Sequence, residues 1–196
     1  MEKYRLGDLV PNIQEILDEA KEGIVKEVNI FYNALKPKFV DQEIWDRMSL
    51  DKELYKETDD IYSTPAGINS TIYMYIKDRE LIGLVKVVRA SICIRAFFVP
   101  VLILKKNQSY KGVALKILKT ISKKYKLDIL SDKQHSIDSF NMYTKWFTDP
   151  KKYGIKSINI LNMSTCKIEY LNQHIKGYSF DELAKEDLYR FIVKFK

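Results

Sequence analysis

A diphosphate is held by a row of hydrogen-bond donors next to a backbone it can approach closely, and residues 102–114 have the composition for both. Leu102, Ile103 and Leu104 close an apolar run, and Lys105 to Lys111, including Gln108, Ser109 and Tyr110, form a polar stretch. Gly112, Val113 and Ala114 then open a segment with helical spacing. The first N–H groups of a helix have no acceptor within it and point outward at the positive end of its dipole, which makes such a junction an anion site. Gly112 and Ala114 carry little or no side chain, so a phosphate can reach the main chain there. The same residues also read as a plain loop-to-helix junction, and one glycine does not separate the two readings.

Several elements must position that junction. Ile13, Ile16, Leu17, Ala20, Ile24, Val28, Phe31, Tyr32 and Leu35 recur at three-four spacing between Pro11 and Pro37, which predicts a helix. Residues 41–57, with Ile44, Trp45, Met48, Leu50, Leu54 and Tyr55, read as a second helix. Residues 1–60 are thus expected to form a helical cover on a sheet, and 61–196 the α/β domain. Residues 63–67 (Ser-Thr-Pro-Ala-Gly) read as a loop. Residues 70–77 and 81–90 are rich in β-branched residues about a tight turn at 78–80, which predicts a hairpin. A third strand, 94–105, contains Pro100, implying an edge, a bulge or a bend.

After Gly112, the residues Val113, Ala114, Ile117, Leu118, Ile121 and Tyr125 form one helical stripe, and Lys116, Lys119, Lys123 and Lys124 the opposite face. A short buried strand at 127–131, a helix at 136–147, and strands at 155–161 and 166–171 follow. A capping-box pattern from Ser179 to Glu182 opens a last helix expected to end near Ile192. The apolar segment 188–195 is a candidate interface.

Composition bounds the class. A chain of 196 residues with 46% hydrophobic content can bury a core of one domain. No apolar run reaches the ~18 residues of a membrane span, and nothing near the start resembles a signal peptide, so a cytoplasmic location is expected. Cys93 and Cys166 are far apart in sequence and are read as two buried thiols. The Asn-x-Ser/Thr triplets at Asn69, Asn107 and Asn162 carry no weight without a secretory signal. Residues 1–60 hold nine Lys or Arg against fifteen Asp or Glu, a charge of −6, which leaves +13 on the remainder. A basic portion of that size suits a polyanion, either a phosphorylated cofactor or nucleic acid. Of the 33 basic residues 27 are Lys, which disfavours base reading by bidentate Arg.

The order of elements from 70 to 171 resembles that of the GNAT superfamily of acyl-coenzyme A transferases. That family runs helices, an antiparallel meander, a pyrophosphate loop with its helix, a strand, a helix and two closing strands. Its loop pattern is Arg or Gln, two free positions, Gly, one free position, then Gly or Ala. Gly112 and Ala114 match the last two, while Ser109 stands where Arg or Gln is usual, Gln108 is one residue early, and Tyr110 replaces a frequent Gly. The resemblance implies a mixed α+β fold with a mostly antiparallel central sheet whose fourth and fifth strands are splayed. It implies that the backbone of Leu102, Ile103 and Leu104 lines the pantetheine arm, with Gln108, Ser109, Tyr110, Lys111, Gly112, Val113 and Ala114 around the diphosphate.

It also implies a proton donor for the departing thiolate. Tyr-Thr-Lys-Trp-Phe, 143–147, is close to the family's Tyr-x-Lys-x-Gly-Phe, which makes Tyr143 the candidate acid or, alternatively, a core aromatic. An amine nucleophile needs a base, and Asp132 and His135 are the nearest candidates. Asp132 reads equally as a helix cap, and His135 as surface. His174 has no identifiable partner. A shorter stretch, Ser131-Asp-Lys-Gln-His135 with Tyr143 and Trp146, is similar to part of the phage DNA-modification family Mom, which implies nucleic acid as an acceptor and a phage origin. The absence of a Gly-x-Ser-x-Gly elbow, Walker loop, metal triad or kinase set argues against hydrolase, NTPase and metalloenzyme readings. The reading is an acetyl-coenzyme A dependent N-acyltransferase acting on a small-molecule or protein amine. The alternatives are a binding or inhibitory protein of the same shape without coenzyme A activity, and a nucleic-acid modification or binding protein.

Overall fold

The structure, a computed structural model, describes residues 2–16, 18, 48–104, 112–131, 137–169 and 189–196. Its elements are β1 (Lys3–Arg5), α1 (Leu6–Leu9), β2 (Glu53–Lys56), β3 (Ile61–Gly67), β4 (Ser70–Lys77), β5 (Glu80–Ala90) and β6 (Ala96–Leu104). They continue as α2 (Val113–Tyr125), β7 (Asp128–Ser131), α3 (Ile137–Thr148), β8 (Ile155–Asn162), β9 (Lys167–Glu169) and β10 (Tyr189–Phe195). The fold is mixed α+β with a mostly antiparallel sheet: β1–β2, β2–β3, β3–β4, β7–β10, β10–β8 and β8–β9 pair antiparallel, and β6 pairs with β7 in parallel. Among the described residues no helix is long and apolar enough to cross a membrane. The chain divides into two compact units, Met1–Lys86 with Val101–Ile117, and Val87–Pro100 with Leu118–Lys196.

In the first unit the strands lie in chain order from β1 to β5. Ile72, Met74 and Ile76 of β4 share one face with Leu84, and that face is covered by Leu6, Val10, Ile13 and Met48 together with Leu54 and Tyr62. The start of the chain therefore acts as a cover, through α1 and the helical residues 13–16. The 78–80 turn forms as expected: Asp78 and Arg79 sit at φ 51° and 64° between β4 and β5, the left-handed pair of a two-residue hairpin.

Two expectations fail in this unit because pairing between distant segments outweighs local signals. Residues 53–56, read as helix, form β2, with Leu54 buried and the strand registered on both β1 and β3. Residues 63–67, read as a loop, belong to β3, where Ser63 and Thr64 are buried and pair with Tyr73 and Ile72. Pro65 fits because the β2 ladder reaches only Ser63, and a register shift follows between Pro65 and Gly67. Of the first predicted helix, residue 17 and residues 19–35 lie outside the described residues.

In the second unit the strand order is β6-β7-β10-β8-β9. Ala96, Leu130, Leu161 and Ile192 form the core on one face. On β10, Phe191 stacks on Tyr143 of α3, and Phe195 lies edge-on to Trp146. Residues 189–192, expected to close a helix, are strand instead. Tyr-Arg-Phe-Ile-Val is aromatic and β-branched, and it pairs along β8 on one side and β7 on the other. Arg190 to Val193 are buried in this position, while Tyr189, Lys194 and Phe195 are half-buried. The capping box at 179–182 lies outside the described residues.

The cysteines also depart from expectation. Cys93, in the β5–β6 corner, and Cys166, in the β8–β9 turn, form a disulfide with Cα atoms 4.9 Å apart. Seventy-three residues separate them in the chain, but the sheet brings their two loops together against the Ala96–Leu161 cluster. Asn162, by contrast, is buried, and its Oδ1 accepts hydrogen bonds from the Ser164 and Thr165 N–H groups and the Ser164 hydroxyl. Its amide serves the turn.

Candidate functional site

Within the first unit, β6 runs to Leu104 and α2 opens with Gly112 immediately before it. The Lys116 N–H donates to the Gly112 carbonyl at 2.9 Å, which is the first rung of the helix. The amides of Val113, Ala114 and Leu115 therefore belong to the turn that has no acceptor within the helix. Gly112 has φ +88°, and a Cβ built on it meets nothing within 4 Å among the described residues. Val113 and Ala114 turn their side chains inward and are buried, as is Ile117 one turn on. This inward-facing pattern keeps the helix seated on the core.

Lys116, on the face opposite the apolar stripe, is exposed and is also part of a closed triangle. Its Nζ lies 2.6 Å from Asp60 Oδ2 and 3.2 Å from the Tyr75 hydroxyl, and that hydroxyl donates to the same Asp60 oxygen at 2.9 Å. The ammonium also sits 4.6 Å from the Tyr75 ring centroid. The Lys116 hydrogen bond holds the Asp60 carboxyl below the usual carboxylate range, with burial opposing it and Tyr75 assisting. Burial pulls the Lys116 ammonium down, but the hydrogen bonds and charge of Asp60 and Tyr75 together outweigh it, so its pKa is raised. Sequence reasoning missed this set. Asp60 is the second of two adjacent aspartates, Tyr75 is one aromatic of an alternating strand, and only the place of Lys116 one turn past Gly112 gave a signal.

Within the second unit, the parallel ladder runs from Ala96 with Asp128 to Val99 with Ser131, and Pro100 follows at once. The Ser131 Oγ accepts the Phe191 N–H at 2.9 Å, tying the end of β7 to β10. Tyr143 is 3% exposed, with its ring 4.9 Å from Phe191 at an interplanar angle of 13° and edge-on to Trp146 at 5.5 Å. It thus has the aromatic environment of the core reading. Along α2, the Lys119 ammonium lies against Gly154, in a turn flanked by Lys151 and Lys152 whose carbonyl at Gly154 accepts the Lys196 N–H.

Of the residues singled out from sequence, Gly112, Val113 and Ala114 fall together at the helix opening, and Leu102, Ile103 and Leu104 form the end of β6. Gln108, Ser109, Tyr110, Lys111, Asp132, His135 and His174 lie outside the described residues.

No family model matches the chain, and no curated protein matches it. Among solved structures, the chain is similar to an acetyltransferase of the GNAT family from Staphylococcus aureus Mu50, at 10% identity over 92% of this chain and 93% of that one, with a TM-score of 0.42. It is similar to a GNAT family acetyltransferase from Elizabethkingia anophelis with acetyl-CoA bound, at 11% identity over 71% of this chain and 100% of that one, with a TM-score of 0.40. It is also similar to the aminoglycoside 6'-N-acetyltransferase from Enterococcus faecium, at 9% identity over 100% of this chain and 97% of that one, with a TM-score of 0.42.

Proposed function

We propose that the chain is an acyl-coenzyme A dependent N-acyltransferase, most simply an acetyltransferase, with an amine as acceptor. The observation that carries this reading is Gly112: it opens α2 at φ +88°, and no described residue comes within 4 Å of where a side chain would stand. A diphosphate fits such a backbone, because it needs several N–H donors converging at a helix start and room to approach them. In this reading the amides of Gly112, Val113 and Ala114, with 108–111, hold the diphosphate, and the main chain of Leu102, Ile103 and Leu104 lines the pantetheine arm. Coenzyme A, when bound, supplies an acyl thioester as the electrophile. Asp132 or His135 takes the proton from the acceptor nitrogen, and the Tyr143 hydroxyl gives one to the leaving sulfur. Direct attack by the amine needs no nucleophilic side chain, and the protein's part is to orient the reactants and supply donors to the developing charge.

Isothermal titration with acetyl-coenzyme A, paired with a thermal shift at millimolar cofactor, is the test. Heat and a raised melting temperature are expected. If both are absent, a binding or inhibitory protein takes the place of the enzyme.

A second reading, a nucleic-acid acceptor, is favoured by one observation: Lys119 meets the 150–154 turn, where Lys151 and Lys152 also lie and Lys196 is hydrogen-bonded. Phosphate contacts need only positive charge. Retention on DNA at low salt, lost when Lys119 and Lys123 are replaced by Glu, is its expected outcome. Lys116 is left out of that test because Asp60 already neutralises it.

A further inference from the structure

The disulfide lies in the second unit, where neither the anion site nor the acid–base groups draw on it. Its two cysteines differ in setting. Cys166 is exposed, at the last position of the β8–β9 turn, whereas Cys93 is half-buried and packs with Ile94 and Met163 on the cluster of Ala96, Leu130, Leu161 and Ile192. The turn that presents Cys166 does not depend on the bond. Asn162 Oδ1 accepts from two main-chain N–H groups and one hydroxyl across it, and β9 pairs with β8 over Asn162 to Ile160. Cys93 is provided for in the reduced state as well, since its Sγ lies 3.6 Å from the Met163 carbonyl oxygen, an acceptor for a thiol S–H. Lys167 follows Cys166 directly and Arg95 stands two residues after Cys93, and neighbouring positive charge favours the thiolate that reacts.

We propose that Cys93 and Cys166 form a reversible thiol–disulfide site, with Cys166 as the sulfur that exchanges with a low-molecular-weight disulfide and Cys93 as the sulfur that resolves it. In the oxidising direction the Cys166 thiolate attacks one sulfur of the small disulfide. A Cys166 mixed disulfide forms, the small S–S bond breaks, and one small thiolate leaves. The Cys93 thiolate then attacks the Cys166 sulfur, forming the 93–166 bond and expelling the second small thiolate. The two protons lost from the cysteines end on the two small thiols, so two electrons pass from the protein to the small disulfide. A small thiol reverses both steps. The oxidised form ties the β5–β6 corner to the β8–β9 hairpin covalently, and the reduced form leaves them joined by the packing of Cys93, Ile94 and Met163.

The test uses the native full-length protein with glutathione and glutathione disulfide at set ratios, trapped with iodoacetamide and read by intact mass and peptide mapping. The wild type is expected to pass between dithiol and disulfide without denaturant. Cys93→Ser is expected to collect one glutathione on Cys166, and Cys166→Ser to collect it at least about tenfold more slowly, following the accessibility of each sulfur. Hydrogen exchange on reduction should rise in 91–95 and 163–169 and leave the core of β10 unchanged. The proposal is overturned if the bond resists reduction in the native protein, if it fails to form at an oxidising ratio, or if both single variants take up glutathione equally fast.

Discussion

The Lys116 ammonium lies 2.6 Å from Asp60 Oδ2, and through that contact the first turn of α2 is fastened to the entry of β3. Tyr75 closes the set from β4, so one strand face and the helix that Gly112 opens share a polar anchor. The lowered Asp60 pKa makes this a source of stability that is present above the ordinary carboxylate range and lost as pH falls through the folded value. Nearly half of the Lys116 side chain faces water, which limits the effect to about 1 kcal/mol. Asp60→Asn is therefore expected to lower stability at pH 7 by about that amount and to flatten the acid limb below about pH 4. Denaturant melts of both proteins from pH 7 to pH 3 check it, and parallel acid limbs would remove Asp60 from the account. The raised Lys116 pKa acts at the other end: its share is complete below the unfolded lysine value and is lost only as pH rises through the folded one.

The turn between β4 and β5 places Arg79 at φ 64°, a left-handed conformation that suits glycine better than a side chain with a Cβ. Arg79 is exposed, so its replacement removes no core contact. Arg79→Gly is expected to stabilise the protein by about 1 kcal/mol, because Asp-Gly is a favoured pair for this hairpin. A lower denaturation midpoint for the variant would show that the arginine makes a contact worth more than the strain.

Gly112 separates backbone strain from cofactor access. A Cβ there meets nothing within 4 Å among the described residues, so Gly112→Ala adds no clash with them, but φ +88° makes any side chain costly. A loss of about 1 kcal/mol in stability is expected. If the amides of this turn hold a diphosphate, the new methyl group stands at its approach and weakens acetyl-coenzyme A binding about tenfold or more, while an equal Kd for variant and parent places the diphosphate elsewhere. The two readouts, a denaturant melt and a titration, are independent.

What could be read in advance is what local pattern controls. The β4–β5 hairpin, α2, β7, α3 and β8 all follow from periodicity and turn chemistry within a dozen residues. Leu54 in β2, Pro65 in β3 and Phe191 in β10 were misread because their state is decided by partners distant in the chain, which override propensity. The site divides in the same way. The Gly112 opening is a local signature, whereas Lys116 reaches Asp60 across 56 residues and Tyr75 across 41, separations that no spacing rule encodes. Cys93 and Cys166 belong with the second class.

Tyr143 carries the sharpest conflict between packing and chemistry. Its ring is stacked on Phe191 and edge-on to Trp146, so the ring alone accounts for its presence on the inner face of α3. The hydroxyl is the only part an acid role requires. Tyr143→Phe keeps the stacking and is expected to cost no more than about 1 kcal/mol of stability. Tyr143→Ala removes the ring and is expected to cost about 3–4 kcal/mol. If the hydroxyl protonates a leaving thiolate, the Phe variant loses about tenfold or more in kcat while its affinity for acetyl-coenzyme A stays as in the parent. A Phe variant with full kcat, set beside an Ala variant that melts early, would make Tyr143 a packing residue and leave the proton to come from solvent or another side chain.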